Sequence, residues 1–170
     1  MATHQVLIAG EWRDSDATQT FQASDPRAAT LIPEDYPVSS WAECEAALDA
    51  AGIAYAQLRE MPGEAIAAFL EAYATRIDAR SKEIRTSAAR ETALPAETRL
   101  VGELARTTGQ LRAAASATRS SAWQMPIIDS ANNIRSCFAP LGPVAVFGPN
   151  NFPLAFGSIS GGDFAAAIAA

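Results

Sequence analysis

The chain has 170 residues, 49% of them hydrophobic and 8% aromatic, and its formal net charge is -6. This length suits one ordinary hydrophobic core, so a single domain is the default expectation. The charge is spread along the chain without a cluster of Lys or Arg, which argues against a nucleic-acid partner. No apolar run is long enough for a signal peptide or a membrane span, so we expect a cytoplasmic protein. Cys44 and Cys137 lie far apart in the sequence, which predicts neither a disulfide framework nor a metal site.

Turn residues and prolines define the first predicted elements. Two short extended runs flank Ala9 and Gly10 in "QVLIAGEWRDS", with Val6, Ile8 and Trp12 as apolar anchors, and this pattern predicts a β-hairpin. The stretch after it carries Pro26, Pro33 and Pro37, which cannot donate a backbone hydrogen bond. We therefore predict an irregular connection there.

Three helices are predicted next. Ser40 and Glu43 have the spacing of a capping box, which marks the start of the first helix. Pro62 permits a second start, and the second helix is predicted to run to about Thr92, because Pro95 disfavours helical geometry at the residue before it. The third helix is predicted to begin after this break at Leu94 and Pro95.

Each predicted helix has one apolar face. The faces comprise Leu48, Ala51, Tyr55 and Leu58; then Ile66, Phe69, Leu70, Tyr73, Ile77 and Ile84; then Leu100, Leu104, Leu111 and Ala115. Asp78 and Lys82 are predicted to pair on the solvent side of the second helix. On the third helix the charged residues, among them Arg99 and Glu103, are predicted to lie largely off the core face. These helices alone would suggest a bundle.

The last quarter of the sequence changes character. Extended pieces are predicted around Ile127 and from Ile134 to Phe138, followed by a buried strand from Val144 to Phe147. A helix is predicted from Pro153, where a missing N–H costs little. A strand running into a helix is half of a βαβ unit, which needs a second parallel strand. No such strand follows in the sequence, so we expect the chain to be part of something longer, with weak protection from about residue 125.

Three motifs carry a family resemblance. "ETALPAETRLVGELARTTGQLR", "PLGPVAVFGPNNFPLAF" and "GGDFAAAIAA" resemble the N-terminal third of the aldehyde dehydrogenase superfamily, closest to the ketoglutaric semialdehyde (2,5-dioxovalerate) dehydrogenases. The resemblance implies a truncated α/β fold, in which an N-terminal β-hairpin and helices precede the first strand-helix unit of an incomplete Rossmann-like cofactor domain. It divides the chain into residues 1–124, an extended oligomerisation segment at 125–142, and the unit at 143–170.

The resemblance also implies a site. Asn151 holds the place of the asparagine whose side-chain amide points at the aldehyde oxygen, where negative charge develops during thiolate attack. Phe147, Gly148, Pro149 and Asn150 would border the cofactor, NADP or NAD, although Pro149 and Asn150 differ from the residues expected in the semialdehyde branch. From the residues alone, an asparagine at such a turn is most often a helix cap.

Two functional hypotheses follow. The chain is expected to be the N-terminal segment of an NAD(P)-dependent aldehyde dehydrogenase that oxidises a small aldehyde to a carboxylate and forms a homo-oligomer at full length. The family's catalytic cysteine and glutamate lie downstream of the matched stretch, so the 170 residues alone are expected to be inactive. The alternative is a non-catalytic helical interaction or scaffold module derived from that family.

Overall fold

Two antiparallel hairpins open the fold. The computed structural model describes residues 3–170, and its first hairpin joins β1 (Val6–Ile8) to β2 (Glu11–Arg13). The predicted hairpin is therefore confirmed, with Ala9 and Gly10 at positive φ in its turn. Positive φ is accessible to glycine without a steric penalty, which suits Gly10 to this position.

The second hairpin corrects the prediction of an irregular connection. Strand β3 (Thr20–Asp25) pairs with β4 (Thr30–Pro37), although β4 contains two of the three prolines. Pairing runs from Thr20–Pro37 to Gln22–Asp35 and resumes at Ser24–Leu31, which places Pro33 in the bulge between them. Proline is tolerated at a bulge and at the end of an edge strand, because no ladder hydrogen bond is lost there.

Within residues 3–170, five helices follow, with a short 3₁₀ turn after the fourth. They are α1 (Trp41–Leu58), α2 (Gly63–Ala79), α3 (Ser81–Thr92), α4 (Arg99–Ser120) and α5 (Gly162–Ala169). The predicted cap of α1 is confirmed, since the Ser40 hydroxyl accepts a hydrogen bond from the Glu43 N–H at 3.2 Å. The Glu43 carboxylate accepts from the Ser15 hydroxyl at 2.7 Å and the Asp16 N–H at 3.2 Å, so it fastens the chain between the hairpins to α1.

The second predicted helix is divided in two. Arg80 leaves helical geometry, with φ -105° and ψ 17°, and separates α2 from α3. Asp78 bonds with Arg112 of α4 at 2.7 Å, so the predicted pairing with Lys82 is wrong. The end of α3 at Thr92 is as predicted, and Ala93 closes it at φ 59°.

The core lies between α2, α4 and α5. All four apolar residues predicted for α4 are buried, which confirms that face. The core cluster comprises Ala67, Leu70, Ala74, Ile77, Leu104, Leu111, Ala115, Ala165 and Ala169. By contrast Leu48 on α1 and Phe69 on α2 are 56% and 52% exposed. The observed core therefore buries fewer of the apolar residues than the sequence predicted.

A third hairpin follows α4. Strands β5 (Ile127–Asp129) and β6 (Ile134–Ser136) pair antiparallel, which confirms the two extended pieces predicted there. Ile127, Ile128 and Ile134 are each more than half exposed. The hairpin therefore carries an exposed apolar surface.

The segment after the third hairpin differs from the predicted strand and helix. Residues Val144 to Phe147 pair with no strand among residues 3–170, and Phe147 is 88% exposed. A single helical turn follows, with the Phe156 N–H bonded to the Phe152 carbonyl, but a regular helix begins only at Gly162. A strand requires hydrogen-bonding neighbours, and glycine weakens a helix interior, so the sequence pattern alone forms neither element.

Candidate functional site

Asn151 lies at the start of the turn between residues 144–147 and α5. Its side chain is exposed, and no hydrogen bond joins its carboxamide to any residue from 3 to 170. The helix-cap interpretation would require this carboxamide oxygen to accept a backbone N–H. The structure therefore leaves the Asn151 amide free to donate to a ligand.

The acceptor that does cap this turn is a glutamate from α4. Glu103 Oε2 accepts from the N–H of Leu154 at 2.8 Å and from the N–H of Ala155 at 3.3 Å. The Glu103 residue is only 4% exposed, which corrects its predicted place off the core face. A charge this deeply buried must be compensated by hydrogen bonds, and these two N–H groups help to supply them.

Arg99 contributes the second link between α4 and the turn. Its guanidinium donates to the main-chain carbonyl of Asn151 at 3.1 Å and to Glu103 Oε1 at 3.0 Å. The guanidinium carbon also lies 4.1 Å from the centre of the Phe152 ring. A cation over an aromatic face is attracted by the ring's quadrupole, so this one side chain contacts the turn at two successive residues, Asn151 and Phe152.

Two phenylalanines extend this contact along α4. Phe152 and Phe156 meet edge to face, with ring centres 5.5 Å apart. The Arg106 guanidinium lies 5.0 Å from the centre of the Phe156 ring. Because positions 99, 103 and 106 fall on one side of a helix, α4 presents a continuous polar face to the turn.

The segment before Asn151 is held by close backbone packing. A Cβ built on Gly148 would lie 2.7 Å from the Ser158 nitrogen and 2.9 Å from the Phe156 oxygen. Only glycine fits such an approach. Phe147, Pro149 and Asn150 are exposed beside it, so the residues predicted to border the cofactor form one open edge next to Asn151.

The connection to α5 has its own fixing points. The Tyr73 hydroxyl donates to the Ile159 carbonyl at 2.9 Å, and burial raises the pKa of that hydroxyl. The Thr118 hydroxyl donates to the Ala169 carbonyl at 3.1 Å, close to the end of α5. The chain after the turn is thus attached to both α2 and α4.

The remaining candidate groups lie elsewhere. Cys137 is exposed beside the β5–β6 hairpin, and Cys44 is half-buried on α1. Among residues 3–170 no three His, Cys, Asp or Glu side chains are grouped so as to hold a metal ion. Within the same residues, every helix falls short of the length or apolarity that a membrane crossing needs.

Sequence reasoning missed Glu103 as a contributor to this site. The signal available in the sequence was the spacing of Arg99, Glu103 and Arg106, which places three charges on one helix face. That spacing could not identify the other partner, because the turn lies 51 residues farther along the chain.

Comparison with known proteins identifies the family of the chain. The model of the aldehyde dehydrogenase family matches residues 12–170, which is nearly the whole chain. The chain belongs to the aldehyde dehydrogenase family. This family is NAD(P)-dependent and acts on aldehydes, and the α/β fold predicted from the resemblance is confirmed.

Two curated members of the family are similar to this chain in sequence. Alpha-ketoglutaric semialdehyde dehydrogenase 2 of Azospirillum brasilense is 39% identical over 99% of this chain and 33% of its own length. Alpha-ketoglutaric semialdehyde dehydrogenase of Acinetobacter baylyi is 35% identical, over 89% of this chain and 32% of its own. The chain therefore spans about a third of the length of these curated relatives.

The fold is shared with solved structures at lower identity. Methylmalonate-semialdehyde dehydrogenase of Oceanimonas doudoroffii superposes with a TM-score of 0.85 at 22% identity. The match covers 99% of this chain and 34% of that protein. The chain thus shares the fold of this part of a solved aldehyde dehydrogenase.

Proposed function

We propose that this chain supplies the oxyanion-stabilising part of an NAD(P)-dependent aldehyde dehydrogenase that oxidises α-ketoglutaric semialdehyde to a carboxylate. The observation that carries the proposal is the state of Asn151. Its carboxamide is exposed and bonded to no described residue, while its own main-chain carbonyl is fixed by Arg99. A held backbone with an uncommitted side-chain donor is what a pre-organised oxyanion site requires.

The chemistry explains why an amide suits this position. Thiolate attack on an aldehyde places negative charge on the carbonyl oxygen, and a neutral N–H donor stabilises that charge without needing a proton of its own. Asn151 would donate from Nδ2 to this oxygen. The nucleophilic cysteine and the glutamate base are expected in family residues beyond the matched stretch, so Asn151 is proposed to assist the reaction without performing the attack.

The neighbouring residues suit a planar cofactor ring. Phe147, Gly148, Pro149 and Asn150 form an open edge, where the Asn150 carboxamide hydrogen-bonds to no described residue and Phe147 offers an aromatic face. We propose that this edge borders the nicotinamide end of NAD or NADP. The cofactor, when bound, accepts the hydride from the aldehyde carbon. These residues would position the nicotinamide ring and cover it.

The substrate class rests on the relatives. Both curated relatives described above carry α-ketoglutaric semialdehyde in their names, at 39% and 35% identity. Pro149 and Asn150 lie beside the proposed oxyanion donor, so their departure from the expected branch pattern falls where it could alter how an aldehyde is held. A panel of aldehydes is therefore part of the test.

A chimera tests the proposal. The chain replaces the matched third of the Azospirillum brasilense enzyme, which supplies the remaining catalytic parts. We expect the chimera to reduce NAD or NADP with α-ketoglutaric semialdehyde faster than with benzaldehyde or acetaldehyde. Asn151→Ala should lower kcat/KM by about 100-fold, since removal of one oxyanion donor costs 10²–10³ in rate. The 170-residue chain alone should form no NADH or NADPH.

The control is a second exposed carboxamide. Asn132 lies in the turn of the β5–β6 hairpin and bonds only with Asp129 among the described residues. Asn132→Ala should leave kcat/KM within about twofold, because surface changes away from the site are usually small in effect. An Asn151→Ala chimera as active as the Asn132→Ala chimera would refute the role given to Asn151.

A further inference from the structure

We propose that Arg99 and Glu103 are positioning residues, which set the orientation of the Asn151 carboxamide during catalysis. The inference rests on the proposed function, because it assigns these two residues a role only if Asn151 is the oxyanion donor. Neither side chain reaches the Asn151 amide. Arg99 bonds with the backbone of Asn151 itself, and Glu103 bonds with the backbone of the turn that follows it, at Leu154 and Ala155.

Glu103 fixes the backbone just after Asn151. Its Oε2 atom accepts from two successive N–H groups, those of Leu154 and Ala155, at 2.8 and 3.3 Å. These groups belong to the first turn after Asn151, where no preceding carbonyl is available as an intrahelical acceptor. The carboxylate thus takes the place that a local capping side chain would otherwise fill.

Arg99 fixes the backbone at Asn151 itself. Its terminal nitrogen donates to the Asn151 carbonyl at 3.1 Å, while its guanidinium carbon lies 4.1 Å from the Phe152 ring centre. These contacts fall on two successive residues of the turn. They restrict rotation of the peptide unit between Asn151 and Phe152, which determines where the Asn151 side chain can point.

The two residues act as one unit. Arg99 Nε donates to Glu103 Oε1 at 3.0 Å, and the Glu103 side chain is only 3% exposed. The two carboxylate oxygens therefore have different partners, because one is bonded to Arg99 and the other to the turn. Loss of either residue leaves the other with an incomplete set of partners, so the turn should respond to both.

A small displacement of the turn would be sufficient to affect catalysis. Oxyanion stabilisation needs a donor about 3 Å from the developing charge, and a misplacement of about 1 Å can cost 10²-fold in rate. If Arg99 and Glu103 act through Asn151, removing them should lower kcat while KM changes little. A merely structural role would lower the amount of folded enzyme without this division between kcat and KM.

The experiment is a double-mutant cycle in the chimera described above. Glu103→Ala should lower kcat by about 10- to 100-fold with KM within about threefold. In an Asn151→Ala background the same Glu103→Ala change should cost less than about threefold, because groups acting as one unit are not additive. Arg99→Met should behave in the same way. Arg99→Lys, which keeps the charge but loses the planar fork, should recover only part of the loss.

A conservative variant keeps the test informative if Glu103→Ala does not fold. Glu103→Gln retains one acceptor oxygen and the side-chain shape, so its kcat should fall between the wild-type and alanine values. Glu97→Ala is the matched control, since Glu97 is 81% exposed and pairs with Arg85, and it bonds with no residue of the turn among those that the structure describes. Its kcat should stay within about twofold of wild type.

The outcomes separate the two proposals. A large effect of Asn151→Ala, together with full additivity of Glu103→Ala, would overturn the positioning role and leave the proposed function intact. No effect of Asn151→Ala would overturn the proposed function itself. A second measurement needs no activity: in the 170-residue chain, Glu103→Ala should speed amide exchange at Leu154 and Ala155 at least tenfold, whereas Glu97→Ala should not.

Discussion

Glu103 and Leu154 lie 51 residues apart in the chain, yet the glutamate carboxylate accepts the leucine N–H at 2.8 Å. The contact joins the second turn of α4 to the turn after Asn151. A local cap could be exchanged for another without consequence for the rest of the fold. This capping group instead comes from the core helix, so the geometry of the candidate site depends on the packing of α4.

Removal of the Glu103 carboxylate should destabilise the chain. Glu103→Ala leaves the N–H groups of Leu154 and Ala155 without their acceptor, and an unsatisfied buried donor costs about 1–3 kcal/mol. Urea denaturation followed by circular dichroism measures the change. Glu97→Ala should alter the free energy of unfolding by no more than about 0.5 kcal/mol, because Glu97 is 81% exposed and Arg85 keeps its hydrogen bond to the Ala96 carbonyl. Equal losses in the two variants would contradict the capping role.

Asn151→Ala should leave stability almost unchanged. The carboxamide is exposed and bonded to no described residue, so its removal breaks no internal interaction. The expected change in the free energy of unfolding is within about 0.5 kcal/mol, measured by the same denaturation. A helix-capping asparagine would instead lose about 1 kcal/mol on truncation to alanine. This measurement therefore tests the capping interpretation without any assay of activity.

Two glycines should respond to alanine in opposite directions. A Cβ on Gly161 would lie 2.7 Å from the Cα of Phe156, whereas one on Gly102 in α4 would meet nothing within 4 Å. Gly161→Ala must displace backbone and should destabilise by more than about 1 kcal/mol. Gly102→Ala should stabilise by about 0.5–1 kcal/mol, since alanine favours the helix. Thermal unfolding of both variants would test this, and stabilisation by Gly161→Ala would show that the turn is not tightly packed.

The sequence predicted the parts of the fold that depend on local pattern. The buried face of α4, from Leu100 to Ala115, follows from helical spacing, and the turn at Ala9 and Gly10 follows from residue type. The family resemblance located Asn151, whereas its role as an oxyanion donor stays a proposal. The sequence pattern could not predict contacts between residues that are far apart in the chain. Asp78 bonds with Arg112 of the neighbouring helix, whereas the sequence had predicted its near neighbour Lys82 as the partner.

The wrong predictions for three parts of the chain share a physical cause. Val144 to Phe147 has the composition of a buried strand, but strand formation depends on a neighbouring chain that the sequence pattern does not specify. Pro33 suggested a break, although a bulge accommodates it within β4. Glu103 looked like a solvent-facing charge because its two N–H partners are remote in the sequence.

Ser15→Ala should make the free energy of unfolding less dependent on pH in the acidic range. The Ser15 hydroxyl, which donates to Glu43 at 2.7 Å, is the main cause that holds the Glu43 pKa below its usual value. A lowered carboxyl pKa adds stability above the unfolded-state pKa, and that stability is lost as pH falls through the folded-state pKa. The wild type should therefore exceed Ser15→Ala in stability at neutral pH, and the difference should shrink as Glu43 becomes protonated.

Denaturation curves between pH 7 and pH 3 would measure this difference. Ser116→Ala is the matched control, because Ser116 is exposed on α4 and bonds with no carboxylate among the described residues. Its stability relative to wild type should not change with pH. A Ser15→Ala difference that stays constant across the range would mean that the hydroxyl does not act through the charge of Glu43.

Amide exchange should divide the chain after α4 into two regions. The β5–β6 hairpin stands as an isolated pair with exposed isoleucines, and two-stranded hairpins are only marginally stable in water. The α5 helix instead buries Ala165 and Ala169 and is bonded to Thr118. Exchange in the hairpin should therefore be fast, exchange in α5 intermediate, and exchange at Leu104 to Ala115 the slowest.

Residue-resolved exchange of the 170-residue chain at two protein concentrations is the measurement. Fast hairpin exchange at both concentrations is the expected result, because intramolecular contacts leave this element exposed. Protection of Ile127 and Ile134 that rises with concentration would show that another copy of the chain covers the hairpin. Protection equal to that of α4 at every concentration would contradict the view that the hairpin is a separate low-stability element, since local opening would then cost as much as unfolding the core.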